Sequence, residues 1–258
     1  MSTVIRKSKM NLAKIKIKNV VTENFHTAEL FEKYGIDYCC GGDRFLGQVL
    51  EEKKISSSAF LKELSELHHS DLSKDRNYSE WDLDRLAMHI IDTHHTYVKN
   101  AIPQIKAHLQ KVFNAHSKKH PFIKDVQNIF SEVADELTGH MMKEERILFP
   151  IIKYLAESDK IHDKPKTRGY GTVQNPIRQM EAEHVSAGGA LERIRTLTDN
   201  YSLPGDACTT FEITYKELEE FEKDLHIHVH LENNILFPRS IELENRLVNE
   251  IIECRKEV

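Results

Sequence analysis

One pattern constrains this chain more than any other. The segments His140 to Pro150 and His228 to Pro238 both read His-x-x-x-Glu-x-x-Ile-Leu-Phe-Pro, and they are separated by 88 residues. An i, i+4 spacing stacks histidine and glutamate on one face of a helix. In both segments that face is otherwise apolar. Polar side chains at core positions need compensation, because a buried carboxylate without a partner costs several kcal/mol or is driven neutral.

The surrounding sequence supplies four such stripes, with apolar residues at steps of three and four, the spacing of a bundle core. The first contains Ile91, His95, Val98, Ile102, Ile105 and Leu109; the second Val126, Phe130, Val133, Leu137, His140, Glu144, Ile147 and Ile151. The third contains Ile177, Met180, His184, Ala187, Leu191 and Ile194; the fourth Phe211, Thr214, Leu218, Phe221, Leu225, His228, Glu232 and Ile235. The stripes select His95 over His94, and His228 over His226 and His230. One core histidine is usually an ordinary hydrogen-bonded residue. Four histidines and two glutamates on facing stripes are explained together by a metal pair. His95 and His184 stand 89 residues apart, so each half is a helix with one histidine followed by a helix with His-x-x-x-Glu.

The donor types narrow the metal. Imidazole with carboxylate suits iron, manganese or zinc, and no cysteine lies in the stripes. Two histidines per metal and two glutamates able to bridge fit a non-haem di-iron centre best, with coordination positions left for a small molecule. The zinc-protease order His-Glu-x-x-His is absent. So is the ferritin-like Glu-x-x-His order at these positions.

Composition agrees with a helical, globular chain. Of 258 residues only 10 are glycine and 7 proline, so long stretches run without breakers. A net charge of −5 argues against nucleic acid as the main partner. No apolar run reaches the length of a membrane span. The four cysteines, Cys39, Cys40, Cys208 and Cys254, form no disulfide framework, which favours a reducing cytoplasm. Cys208 and Cys254 read as structural.

The expected fold is all-α: a four-helix bundle preceded by a small helical N-terminal domain, with residues 1–75 and 76–258 as the two domains. Met1 to Lys18 reads as a basic solvated arm rather than a signal peptide. Helices are expected from about Glu23 to Tyr34, from Asp43 to Lys53 and from Ser56 to His68, then a polar linker from Ser70 to Asn77. The long helices are expected over Trp81 to His116 with a kink at Pro103, Pro121 to Ala156, Pro176 to Asn200, and from beyond Asp206 to Phe237. Glu157 to Asn175 reads as an exposed loop. Pro238 is expected to interrupt the fourth helix before a short one from Ile241 to Arg255.

Cys39 and Cys40 lie between Gly35 and the pair Gly41 and Gly42. A loop with free backbone amides would lower a thiol pKa and favour a reactive thiolate; two small buried apolar groups are the simpler reading. No second pair completes a zinc site.

The two Ile-Leu-Phe-Pro repeats, together with Met180 to His184, resemble a hemerythrin-like domain. Tyr34 to Gly42 resembles the small Cys-Cys domain that accompanies it. In order and extent, about Lys18 to Ser240, the chain resembles the iron–sulfur cluster repair di-iron proteins. That resemblance implies a cytoplasmic homodimer acting on iron–sulfur proteins damaged by nitric oxide or peroxide, by delivering iron or by handling the damaging species. It implies two carboxylate- and oxo-bridged iron ions held by His95, His140, Glu144, His184, His228 and Glu232. It also implies supporting positions at Glu136 and Glu183, and a redox or iron-transfer role for Cys39 and Cys40. A hemerythrin-like carrier or sensor of oxygen or nitric oxide, or a nitric-oxide-reducing oxidoreductase, would use the same centre. The residues leave open whether the centre turns over as an enzyme, and the terminal extensions have no assigned role.

Overall fold

A computed structural model describes residues 12–67, 77–161 and 171–254. Most of the arm before Leu12, most of the linker from Ser70 to Asn77, and the middle of the loop from Glu157 to Asn175 lie outside the described residues, as does the Cys254 side chain. The described secondary structure is helical, with one isolated β-bridge between Lys16 and Phe45. The fold is all-α, a four-helix bundle with a small helical N-terminal domain. No described helix is long and apolar enough to cross a membrane.

Packing divides the chain into two units: Met1–Asp82 with Val229–Arg239, and Leu83–His228 with Ser240–Val258. In the first unit, α1 (Ile17–Glu23) buries Ile17, Val20 and Val21, the i, i+3, i+4 face of a two-turn helix. Asn24 ends α1, and its side chain accepts the His26 amide at 3.1 Å, starting the turn into α2 (Ala28–Lys33). The helix expected from Glu23 to Tyr34 is therefore shorter, an Asx turn and a 3₁₀ turn at Phe25–Thr27 leading into α2, while α1 precedes it where none was expected. Helix α2 stops at Gly35, whose φ of +58° suits glycine, and the Ile36 amide returns to the Phe31 carbonyl at 2.8 Å. Helices α3 (Leu46–Glu52) and α4 (Ser57–Leu67) complete the set. Phe31, Phe60 and Tyr38 are buried at its centre, with Phe31 edge-on to Phe60 at 5.4 Å. Leu12 and Ile15 pack on this core and Ile17 is buried in it, so the basic arm ends earlier than Lys18. The sequence hides this because the apolar residues there alternate with lysines.

The second unit holds the long helices, the last of which runs on through Val229–Arg239. Helix α5 spans residues 83–116 as Leu83–His89, a π-helical turn Ile90–His95, and Thr96–His116. Helix α6 spans 123–160 as Ile123–Lys143, a π turn Glu144–Leu148, and Phe149–Lys160. Helix α7 is Gln174–Leu197, and α8 spans 209–254 as Thr209–Leu231, a π turn Glu232–Leu236, and Phe237–Cys254. Helix α6 packs against α5 and α7.

Pro103 sits inside the Thr96–His116 segment without ending it. Pro238 does not break the fourth helix either. A proline cannot donate to the carbonyl four residues back and crowds it. The π turn ending at Leu236 changes the hydrogen-bond register just before that position, so the helix continues. Pro150 follows the equivalent π turn of α6 in the same way.

Candidate metal centre

The π turns lie where the candidate ligands lie. His95 closes the first, Glu144 opens the second and Glu232 opens the third. Each widens the helix by one residue and lets a core position aim a polar group inward without rotating the apolar stripe on both sides.

The six side chains expected from the stripes converge and are all buried. Two overlapping groups form, His95, Glu144, His228 and Glu232, and His140, Glu144, His184 and Glu232, with donor atoms inside each group within 4.8 Å of one another. Both glutamates belong to both groups. One Glu144 oxygen lies 3.3 Å from His95 Nε2 and 3.3 Å from His140 Nε2, between the two groups. His140 Nε2 and His184 Nε2 are 3.0 Å apart. Two imidazole nitrogens at right angles on one ion, with bonds of roughly 2.0–2.1 Å, would be separated by about 2.9 Å. The donor set therefore fits a pair of divalent first-row metal ions: imidazoles at terminal positions and carboxylates able to span two ions, in a site closed to solvent.

The outward nitrogens of His95 and His140 are anchored. His95 Nδ1 meets Glu145 Oε1 at 2.8 Å, and Lys99 donates to the same oxygen at 2.6 Å. His140 Nδ1 meets Glu183 Oε2 at 2.9 Å, and Lys143 and Gln179 donate to the other oxygen of that carboxylate. Burial alone would raise both carboxyls, but the lysines and imidazoles outweigh it and hold Glu145 and Glu183 below their ordinary range. Carboxylates in this position fix the ring orientation and leave Nε2 for a metal. Glu145 was not singled out by the sequence, although it directly follows Glu144 as Glu183 directly precedes His184. Glu136, the other expected support, is exposed and accepts only a long bond from Ser186 at 3.4 Å.

The rejected histidines stay outside both groups. His94 is buried, bonded through Nδ1 to Asp224 at 2.9 Å, and stacked on the ring of His228. His226 is half-buried. His230 belongs to the first unit: its Nδ1 accepts from Asn234 at 3.0 Å, Tyr38 lies edge-on at 5.5 Å, and burial pushes its pKa down to about 4.

Cys39 and Cys40 do not have the electropositive setting expected of a loop with free amides. Asp37 has taken those amides: its carboxylate accepts the backbone N–H groups of Cys39, Cys40 and Gly41 at 2.8–2.9 Å, and the Cys39 thiol at 3.2 Å. The contact with Cys40, burial and the Asp37 charge push the Cys39 thiol well above its ordinary value. The two sulfurs lie 4.0 Å apart as free thiols. Asn234 Nδ2 donates to the carbonyls of Tyr38 and Cys39 at 3.1 and 3.3 Å. A Cβ on Gly42 would come within 2.7 Å of the Tyr38 carbonyl, so only glycine fits the end of this loop. Cys208, expected to be structural, is exposed. The Phe211 amide and His116 lower its thiol pKa, and His116 Nε2 lies 3.3 Å away.

Comparison with known proteins agrees with this geometry. The model of the hemerythrin HHE cation-binding domain matches residues 86–240, and that of a domain of unknown function, DUF542, matches residues 13–68. The iron–sulfur cluster repair protein YtfE of Enterobacter sp. (strain 638) is 36% identical over 213 residues, 82% of this chain and 90% of the relative. A probable iron–sulfur cluster repair protein of Haemophilus influenzae is 32% identical over 231 residues, 89% of this chain and 98% of the relative. The chain belongs to the iron–sulfur cluster repair family. As a member of that family it carries a hemerythrin-type metal-binding bundle, and its buried histidine and glutamate groups are able to hold a metal.

Proposed function

We propose that this protein binds two non-haem iron ions and serves the repair of iron–sulfur clusters damaged by oxidative or nitrosative stress. The ligands are His95 with His228 and His140 with His184, with Glu144 and Glu232 shared by both groups. The observation that carries the reading is the pair of overlapping four-residue groups sharing both glutamates, buried in a chain whose relatives are named for cluster repair. When bound, such a centre supplies redox-active iron with positions open to a small molecule, or iron itself. The protein's own part is to hold the imidazoles of His95 and His140 by their outer nitrogens, through Glu145 and Glu183, and to keep water from the ligands.

The clients in this reading are iron–sulfur proteins, and the protein acts as a cytoplasmic homodimer. Residues 1–75 form the Cys-Cys domain and 76–258 the bundle with its C-terminal extension; the two family matches, ending at 68 and starting at 86, support that boundary. Cys39 and Cys40 serve redox or iron-transfer steps. A simple carrier of oxygen or nitric oxide has no use for two adjacent thiols in a loop held by Asn234.

The test is reactivation of a purified iron–sulfur enzyme inactivated by nitric oxide. Wild-type protein restores activity, whereas His140→Leu and the double variant Cys39→Ala/Cys40→Ala do not. Equal restoration by wild type and His140→Leu would contradict the proposal.

A further inference from the structure

A second set of metal-ligating side chains lies apart from the buried groups, at the ends of α5 and α8. His116 is the last residue of the Thr96–His116 segment, and His120 follows one turn on, its amide bonded to the His116 carbonyl at 2.9 Å. Asp206 and Cys208 sit just before Thr209, where α8 begins. The donor atoms of His116, His120 and Asp206 lie within 4.8 Å of one another. Cys208 Sγ lies 3.3 Å from His116 Nε2, beside that group rather than within it, and would complete the set as a fourth donor.

We propose that His116, His120, Asp206 and Cys208 form a zinc-class divalent cation site that ties the turn after α5 to the segment leading into α8. Histidine, carboxylate and thiolate are the ordinary ligands of a four-coordinate zinc site. In a tetrahedron with bonds of roughly 2.0–2.3 Å, neighbouring nitrogen and oxygen donors stand about 3.3 Å apart, and nitrogen and sulfur about 3.5 Å. Here His120 Nε2 and Asp206 Oδ1 are 2.9 Å apart, and His116 Nε2 and Cys208 Sγ 3.3 Å. Spreading each pair by a few tenths of an ångström, with the exposed Cys208 side chain drawn in toward His120 and Asp206, admits the ion. The ligands are held for it. Both imidazoles pack on the buried ring of Phe211, at centroid distances of 5.2 and 5.9 Å. Lys119 takes the second Asp206 oxygen at 3.1 Å, leaving Oδ1 to face His120. The thiolate distinguishes this site chemically from the buried groups, which contain no cysteine.

The probe is Co²⁺ added to the full-length, iron-loaded protein, followed by near-ultraviolet absorption and metal analysis. The site predicts one equivalent of Co²⁺ with a thiolate-to-cobalt charge-transfer band that Zn²⁺ bleaches. The band disappears in Cys208→Ser and in His120→Asn, and persists in Cys39→Ser/Cys40→Ser. Circular dichroism checks that the variants fold; all the substituted positions at this site are exposed or half-buried. No band in the wild type, or a band that survives Cys208→Ser, overturns the proposal.

Discussion

At the scale of single residues, the centre depends on how each imidazole is held as much as on its presence. His95 and His140 each pass one nitrogen to a carboxylate that is itself paired with a lysine, leaving the other nitrogen inside. Glu145→Gln and Glu183→Gln should therefore weaken iron binding by roughly 10–100-fold without unfolding the chain; iron retained against a graded chelator series measures this, and wild-type retention in both variants would refute it. His140→Leu and Glu232→Leu should remove much more, because each deletes a donor from one or both groups. Total iron per chain after purification is the check. The convergence of the six side chains was readable from the stripes, because a polar residue at an apolar repeat position has few inexpensive explanations. Glu145 was not, since it lies off the stripe and its role is set by which imidazole it faces across the helix pair.

At the scale of elements, the π turns explain where the stripe fails. Helices α7 and α8 bury every position their stripes name. In α6 the stripe names Ile147, which is 51% exposed, while Leu148 and Ile152 are buried. The π turn Glu144–Leu148 inserts one residue at this break, although the equivalent turn of α8 keeps Ile235 buried. The same holds in α5, where Ile90 is buried and Ile91 only half so, ahead of His95. Deleting the exposed Ile147 should close the α6 turn into ordinary α-helix. Helicity by circular dichroism should be kept and bound iron should fall, because Glu144 would turn away from His95 and His140. Full iron with Ile147 deleted would show that the π turn does not aim the ligand. The short N-terminal helices were less legible than the long ones. Two-turn helices carry too few periods to register, and their ends are fixed by Asn24 and Gly35.

At the scale of the whole molecule, the chain combines a bundle with a small unit whose adjacent cysteines are wrapped around Asp37. Removing residues 1–75 should leave a helical, iron-binding protein that no longer reactivates a damaged cluster enzyme. Loss of bundle helicity on truncation would contradict the proposed boundary. The strip Val229–Arg239 packs with the N-terminal residues, so the truncated protein should also expose His230 and lose some thermal stability.

Four imidazoles and two carboxylates share a dry interior, and a pair of cations would offset the cost of gathering them there. Two buried glutamates with no compensating metal would be a heavy cost to a marginally stable fold. The most direct test is elemental analysis of the protein purified without added metal. This donor set predicts about two iron atoms per chain, and a fall in melting temperature when they are chelated. Protein that is fully folded, free of metal and unchanged in stability by added Fe²⁺ would contradict it.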